Sequence, residues 1–224
     1  MKKWWSYGII CLLIPAVVLG GAVLFEEKQY AWISLCVAIL ACVPFFLCFE
    51  NRQASTKKLI LIAAMVALSA VGRVLFAPIP GFKPVTAVVV ITAMYFGGEA
   101  GFMTGALSAV ISNFYFGQGP WTPFQMFSWG FIGLIAGLLA KPLQQNKAIL
   151  ILYAIFSGVL YSLLMDVWTV FWQDGCFNLS RYFAAIISAT QFTVVYAVSN
   201  VVFLLLFEKP IGKILNRIKT KYQL

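Results

Sequence analysis

The chain has 224 residues, of which 62% are hydrophobic and only 10% are charged, and its mean hydropathy is +0.92. A soluble domain of this length needs a larger share of polar surface, so the composition excludes one and indicates a polytopic membrane protein. The net charge of +9 would suggest a nucleic-acid partner in a soluble chain. Here the basic residues flank apolar segments, which is typical of membrane topology rather than of nucleic-acid binding.

The residue types that carry most enzymatic and metal chemistry are missing or badly placed. Histidine, the commonest general base and metal ligand, is absent. Four of the five cysteines lie inside apolar segments, without metal-ligand spacing or a disulfide framework. The chain also lacks paired catalytic carboxylates, a Gly-x-Ser-x-Gly elbow and a nucleotide-binding loop. We therefore expect no enzyme activity, no metal and no cofactor, and any use of ATP must come from partner proteins.

The N-terminal region predicts two membrane-spanning helices, at residues 7–25 and 31–49. A signal peptide is the alternative for the first segment, but its apolar run is longer than a typical signal core and a second span follows at once. Pro15 and Pro44 predict kinks inside the two helices. We interpret the pair as an accessory transmembrane hairpin.

A polar linker ends the N-terminal region and divides the chain into residues 1–57, the accessory hairpin with its linker, and residues 58–224, the core. One short core segment, 84–96, covers only about 20 Å as a helix, less than the roughly 30 Å of hydrocarbon. It is either a short span buried by its neighbours or half of a re-entrant hairpin. The core therefore predicts a six-helix bundle in an all-α membrane protein, with apolar segments at 59–76, 84–96, 100–112, 124–140, 148–172 and 182–207.

The positions of the basic residues predict the orientation of the chain in the membrane. Placing the N-terminus in the cytoplasm leaves few basic residues outside, namely Lys28, Lys83 and Arg181, with Arg73 near the outer end of its span. This asymmetry predicts cytoplasmic termini and a multi-pass protein of the cell membrane. The loops 77–83, 113–121 and 173–181 then face outward. The basic clusters that fall inside are at 2–3, 52–58, 141–147 and 209–221.

The stretch Asn113–Trp129 combines seven aromatic residues with carboxamides, glycines and prolines. Gly117, Gly119, Pro120 and Pro123 disfavour both helix and strand, so we interpret the stretch as a shaped turn. Aromatic faces provide stacking area and carboxamides provide orientation, which suits a bulky organic ligand. The alternative is an aromatic belt at the membrane interface, which explains the aromatics but not the carboxamides and prolines.

Ionisable and polar side chains inside the spans are candidates for function because they are costly in a bilayer. Arg73 and Asp166 lie at similar depth, so we predict a mutual ion pair, which either stabilises the bundle or lines the pocket. Trp129 and Gln191 project from depths at which both would line the same outer cavity. Asn200 lies deeper, where a bond to a neighbouring helix is expected.

Small residues mark two candidate packing surfaces. Gly97, Gly101 and Gly105 recur every four residues, which predicts one flat helix face for packing inside the bundle. Ala63 and Ala67 form a similar pair in the first core span. That pair faces either the bundle or an external partner helix.

With these features in place, residues 58–224 resemble the substrate-binding S component of an energy-coupling factor (ECF) vitamin transporter. The shared features are a six-span core with cytoplasmic ends, an Ala-x-x-x-Ala motif in the first core span, and structured outer loops after the first and third core spans. The resemblance implies vitamin capture outside the cell, within a complex that holds a transmembrane coupling protein and two ATPases. It also implies that Ala63 and Ala67 contact the coupling protein. The extra pair 7–49 departs from the six-span form.

The stretch 117–126, GQGPWTPFQM, resembles S components for cobalamin or a related corrinoid. Few charges accompany it, whereas a small carboxylate vitamin would need a clearer cationic anchor than Arg73, Lys83 and Arg181 provide. Another vitamin, a nucleobase-like precursor, or a scaffold or sensor role are the alternatives. The predicted substrate-binding residues are Arg73, Phe82, Asn113, Tyr115, Gln118, Trp121, Gln125, Trp129, Asp166 and Gln191.

Overall fold

The architecture is that of a computed structural model, which describes residues 8–24, 36, 40, 55–174 and 177–222. Most of the second predicted hairpin span, 31–49, lies outside these residues, as does Pro44. Every regular element within the described residues is a helix, which confirms the prediction of an all-α membrane protein. The helices are α1 Ile14–Leu24, α2 Ser55–Leu75, α3 Val85–Phe96, α4 Gly98–Phe116, α5 Trp121–Leu138, α6 Ala140–Gln145, α7 Lys147–Asp174 and α8 Leu179–Tyr222.

Helix length and composition identify the segments that can cross a bilayer. Among the described helices, three are long and apolar enough by themselves: Thr56–Leu75, Lys147–Asp174 and Leu179–Tyr222. Helix α3 has 12 residues and covers only about 18 Å, yet nearly all of its side chains are buried. Helices α2, α4, α5 and α8 pack around it. It is therefore a short helix enclosed by its neighbours, the first of the two predicted alternatives.

The ends of the core helices alternate between the two ends of one bundle. The Lys57 ammonium group lies 4.9 Å from the Tyr222 ring, so the beginning of α2 and the end of α8 are neighbours. Lys219 Nζ donates to the carbonyl of Tyr95 at 3.2 Å, which brings the end of α3 to the same place. The loops after α2 and α4 therefore lie at the opposite end. The core has the six predicted apolar helices and one additional short helix, α6; that its two termini face the cytoplasm stays a prediction.

Glycines allow α4 and α5 to pack with almost no space between their backbones. A Cβ atom on Gly105 would lie 2.5 Å from the backbone of Trp129, and one on Gly133 would lie 2.5 Å from the backbone of Gly101. The structure therefore confirms the predicted packing face at Gly101 and Gly105. Gly97, which ends α3 with φ +92°, contributes its backbone only: a Cβ on Gly137 would lie 2.7 Å from the Gly97 carbonyl carbon, whereas a Cβ on Gly97 itself would meet nothing within 4 Å.

The predicted shaped turn is much shorter than Asn113–Trp129. Only residues 117–120 are non-helical, and α5 begins at Trp121. The expectation that both prolines exclude helix was wrong because Pro120 precedes the helix and Pro123 lies in its first turn. Backbone N–H groups in that turn have no intrahelical partner, so a proline there costs no hydrogen bond. Gly117, with φ +96°, lets the chain leave α4.

Helix α8 continues well past the predicted span 182–207. It has 44 residues, a length of about 66 Å, and includes Pro210 in its interior. Its final turns pack back on the bundle, since a Cβ on Gly212 would lie 2.2 Å from the Tyr95 hydroxyl. The basic tail is thus a helical extension at the end of the bundle that holds the core termini.

The described part of the N-terminal region packs on the core. A π-helical segment, Ile9–Leu13, leads directly into α1, which contacts α5. The side chains of Ile10, Ile14 and Val18 are buried in the same apolar cluster as the core helices. The division of the chain at residue 57 into hairpin and core stays a prediction.

Candidate functional site

A cavity of about 170 Å³ opens between the helices at the end of the bundle opposite the core termini. Helices α2, α3, α4, α5, α7 and α8 and the loop after α2 all contribute to its wall. It combines two cationic, two amide and several aromatic side chains. The lining residues are Arg73, Gly81, Lys83, Val85, Thr86, Phe116, Gln125, Trp129, Tyr161, Tyr196 and Asn200.

Arg73 stands in the last turn of α2 and is held by neutral partners. Its Nη1 donates to Ser112 Oγ at 2.5 Å and to Asn113 Oδ1 at 2.7 Å. The guanidinium carbon lies 4.4 Å from the centre of the Phe116 ring and 5.1 Å from that of Trp129. Two cation–π contacts and two hydrogen bonds fix the guanidinium against the cavity wall. Its positive charge is not neutralised by any of them.

A chain of side-chain amides links Arg73 to the far side of the cavity. Asn113 Nδ2 donates to Thr122 Oγ1 and to Gln125 Oε1, each at 3.0 Å. Gln125 Nε2 donates in turn to the Tyr161 hydroxyl at 3.1 Å. The chain joins α2, α4, α5 and α7, so it sets the positions of four helix ends around the cavity. Such a fully satisfied network holds the wall rigid.

Aromatic rings form the deeper wall of the cavity. Trp129 and Tyr161 are stacked with ring centres 5.3 Å apart and planes only 10° from parallel. Tyr196 packs edge-on against Tyr161 at 5.2 Å. Trp129 and Tyr161 each cover one face of the other, so the cavity is lined by the remaining surface of these rings. A planar ligand with polar edges is the chemical match for such a wall.

Lys83 reaches the cavity from the loop after α2. Its Nζ donates to the backbone carbonyls of Phe76 and, at 3.0 Å, Ile79. The Lys83 backbone exchanges two hydrogen bonds with Ser199 Oγ, at 2.9 and 3.0 Å, which ties the loop to α8. Burial lowers the pKa of Lys83, and the nearby positive charge of Arg73 lowers it further. The loop is therefore a fixed part of the site.

Of the predicted substrate-binding residues, the structure brings Arg73, Gln125 and Trp129 together in the cavity wall. Asn113 is fully buried behind them in the amide chain. Asn200 also lines the cavity, and its Nδ2 donates to Ser157 Oγ at 3.0 Å, the expected bond to a neighbouring helix.

The other predicted residues do not line the cavity. Phe82 packs in an aromatic cluster with Phe76 and Phe203, and Trp121 packs edge-on against Trp168 at 5.9 Å. The other four lie on the surface or in helix contacts. Tyr115 is 65% exposed, Gln191 is exposed, Gln118 donates to the Val110 carbonyl, and Asp166 is buried away from the cavity.

The predicted ion pair between Arg73 and Asp166 is absent. Arg73 uses Ser112 and Asn113 instead, and Oδ2 of Asp166 is buried without a hydrogen-bond partner. The prediction failed because the sequence gives a residue's depth in the membrane but not the direction in which its helix presents it.

Sequence reasoning missed four cavity residues that matter. Phe116 belonged to the aromatic stretch but was not singled out, and Lys83 was considered only as one of few outer cations. Tyr161 and Tyr196 lie inside long apolar segments, where nothing in a single sequence separates a cavity-facing tyrosine from one facing lipid. Three-dimensional packing alone brings them to the site.

A second surface lies on the outside of α2. The side chains of Ala63 and Ala67 are exposed, and Ile60, Leu68 and Val71 are exposed beside them. Of the two alternatives for the alanine pair, the structure thus has the one that faces away from the bundle. The surface is apolar and has small residues at its centre, so another helix can approach it closely. We refer to these five residues as the alanine face.

Comparison with known proteins supplies a family. The family model described as "ECF-type riboflavin transporter, S component" matches residues 53–217, which is well over half of the chain. No curated protein and no solved structure matches the chain. The matched residues contain the whole cavity wall and the alanine face, within a helical bundle of a multi-pass membrane protein. The chain therefore belongs to the family of ECF-type riboflavin transporter S components.

Proposed function

We propose that this protein is the substrate-binding subunit of an ECF-type ABC transporter and captures a flat, heteroaromatic vitamin of the riboflavin type. The observation that carries the proposal is the cavity walled by stacked Trp129 and Tyr161. Stacking gives such a ligand contact area, and the amides of Gln125 and Asn200 give it orientation. The protein binds and delivers its ligand without changing it chemically.

The size of the cavity argues for a compact ligand. Resemblance in residues 117–126 pointed to a corrinoid, whereas the matching family model names riboflavin. The cavity of about 170 Å³ lies below the roughly 300–1,000 Å³ of typical ligand sites. A flavin-sized ring system requires a modest outward shift of the wall, but a corrin macrocycle with its amide substituents requires the bundle end to open widely. Another flat vitamin or a nucleobase-like precursor is the second choice.

The alanine face supports coupling to a transport machine. We propose that a helix of a transmembrane coupling protein packs on Ala63 and Ala67, where small side chains allow close approach. Two ATPase subunits attached to that protein supply the energy, since the chain has no nucleotide-binding loop of its own. A scaffold or sensor without transport is the alternative, and it gives the cavity no role.

The basic residues support an orientation with the cavity outside. Lys57, Lys141, Lys147 and Lys219 all belong to the end of the bundle opposite the cavity, or to the short connections there. Cytoplasmic loops carry an excess of such residues. The cavity then faces the external medium, and both termini lie in the cytoplasm.

Riboflavin binding to the purified protein tests the proposal. Flavin fluorescence is titrated with the detergent-solubilised protein, with cyanocobalamin as a competitor. We expect saturable quenching of riboflavin that cobalamin does not displace. Cobalamin binding in the absence of riboflavin binding would restore the corrinoid assignment. Failure of both, together with failure of other flat vitamins, would favour the scaffold or sensor.

A further inference from the structure

Two cations line the cavity, and no carboxylate neutralises either of them. An ion pair does form between Arg181 and Asp174, at 3.1 Å, but it lies outside the cavity. Arg73 is bound by neutral side-chain oxygens and Lys83 by backbone carbonyls. Both lie beside the same ring, 4.4 and 5.8 Å from the centre of Phe116.

From this arrangement we infer that the ligand presents an anionic group, a carboxylate or a phosphate, to Arg73 and Lys83. The inference rests on the proposed function, because it narrows the ligand class of the same cavity. It goes beyond the ring recognition proposed above, since riboflavin itself carries no ionised carboxylate or phosphate.

The energetic argument concerns two like charges at the edge of a membrane. Removing a charge from water costs free energy unless a partner offsets it, and a second like charge nearby adds to the cost. Asp166 does not compensate, because it forms no ion pair with either cation and one of its buried carboxylate oxygens has no hydrogen-bond partner. A bound anion would offset both the cost of removing the two cations from water and the repulsion between them.

The hydrogen-bonding capacity of the Arg73 and Lys83 side chains also favours an anionic group on the ligand. A guanidinium has five N–H donors, and the two hydrogen bonds that Arg73 makes within the described residues both come from Nη1, which leaves Nη2 and Nε for a ligand. The Lys83 ammonium group has three donors, of which two go to backbone carbonyls. Arginine can bind a carboxylate or phosphate through two parallel bonds, and lysine adds a point charge.

Both cations are also held in place before any ligand arrives. Rings on two sides fix the Arg73 guanidinium, and the two Ser199 bonds fix the Lys83 backbone. A preorganised pair loses little side-chain entropy on binding. The cavity therefore contains a cationic anchor that the sequence did not predict, because the loop after α2 folds back and brings Lys83 beside Arg73.

The test uses riboflavin and riboflavin 5′-phosphate, which share one ring system and differ by a phosphate. Their dissociation constants are measured by fluorescence quenching at constant ionic strength. We expect the phosphate to bind about tenfold more tightly, as charge-assisted hydrogen bonds would allow. Lys83→Gln should remove most of this preference, and Lys83→Arg should retain it. Arg181→Gln, which removes a cation paired elsewhere, is the matched control and should keep the full preference.

The outcomes separate the two proposals. Riboflavin binding with no gain from the phosphate would overturn the anion inference and leave the proposed function standing. If neither flavin binds, the flavin assignment fails, and the inference of an anion site is then tested with inorganic phosphate. Thermal unfolding is then compared in phosphate and in chloride at equal ionic strength. A larger stabilisation by phosphate in the wild type than in Lys83→Gln supports an anion site, and equal curves overturn it.

Discussion

The two faces of helix α2 differ in what they contact. The inward face carries buried Ile62, Met65 and Val66 and ends in Arg73, which is bound into the cavity wall. The outward face has the same helical spacing, yet Ala63 and Ala67 are exposed. One face is thus fixed by packing and hydrogen bonds, and the other is an apolar surface open to lipid or to another protein.

This difference teaches how one helix can serve both ligand capture and coupling. Because the side chains of the two faces do not overlap, substitutions on one face need not disturb the other. Because both faces belong to one helix, which Arg73 anchors, a change in the cavity wall can still be transmitted along α2. The predictions below are ordered from the largest expected effect to the smallest.

The largest effect is expected from adding bulk to the outward face. Ala63→Trp combined with Ala67→Trp should abolish uptake in cells and co-purification with the ATPase complex, because two indoles prevent a helix from docking closely. Ligand affinity of the purified variant should stay within about twofold of wild type, a change worth less than about 0.5 kcal/mol. Uptake of labelled vitamin and ligand titration are the two measurements.

Val194→Trp provides the control for this experiment, because Val194 is exposed on α8 rather than on the alanine face. It adds the same bulk to another lipid-facing surface and should leave uptake intact. If the double tryptophan variant unfolds or loses ligand affinity, the contrast between the two faces of α2 is broken. The alanine pair would then serve packing inside the protein.

Next in size is the loss of one amide from the cavity wall. Gln125→Ala removes a cavity-lining group and two hydrogen bonds, to Asn113 and Tyr161. Ligand binding should weaken by at least about tenfold, near 1.4 kcal/mol. Gln191→Ala is the control, since Gln191 is exposed on α8 and does not line the cavity. Equal affinities of the two variants, in folded protein, would count against Gln125 as a ligand contact.

The sequence predicted the overall class and much of the fold because those depend on one-dimensional patterns. Apolar segments gave the six core helices, and glycines four residues apart gave the close packing of α4 on α5. The alanine pair was found with its orientation left open. The rotation of each helix, and with it the choice of neighbours, was beyond such patterns, as were the start of α5 at Trp121 and the extension of α8 past residue 207.

The site was predicted less completely for the same reason. Arg73, Gln125 and Trp129 were predicted because each is a polar or aromatic residue toward the outer end of its apolar segment. Tyr161 and Tyr196 did not, since rotating α7 or α8 by half a turn would put either tyrosine in lipid. Lys83 required knowledge of how the loop after α2 folds back on Ser199. The position of a residue within its apolar segment gives its depth in the membrane, whereas the packing of the helices determines the direction in which its side chain points.

A double-mutant cycle tests that distinction on Arg73 and Asp166. No ion pair joins the two groups, so the changes that Arg73→Gln and Asp166→Asn make in the free energy of unfolding should add within about 0.5 kcal/mol. Asp166→Asn alone should be neutral or slightly stabilising, because the carboxylate has a buried oxygen without a partner. Thermal or denaturant unfolding of all four proteins measures the cycle. Coupling well above 1 kcal/mol would restore the ion pair.

The smallest effect should come from Trp121, which lies in the same aromatic stretch as Trp129 but outside the cavity. Its ring packs edge-on against Trp168, while Trp129 stacks on Tyr161 in the cavity wall. Trp121→Ala should therefore change the dissociation constant by less than about twofold, whereas Trp129→Ala should weaken binding about tenfold or more. Fluorescence titration of both folded variants makes the comparison. A large loss from Trp121→Ala would mean that the loop between α4 and α5 closes over the ligand, so that the site extends beyond the present cavity.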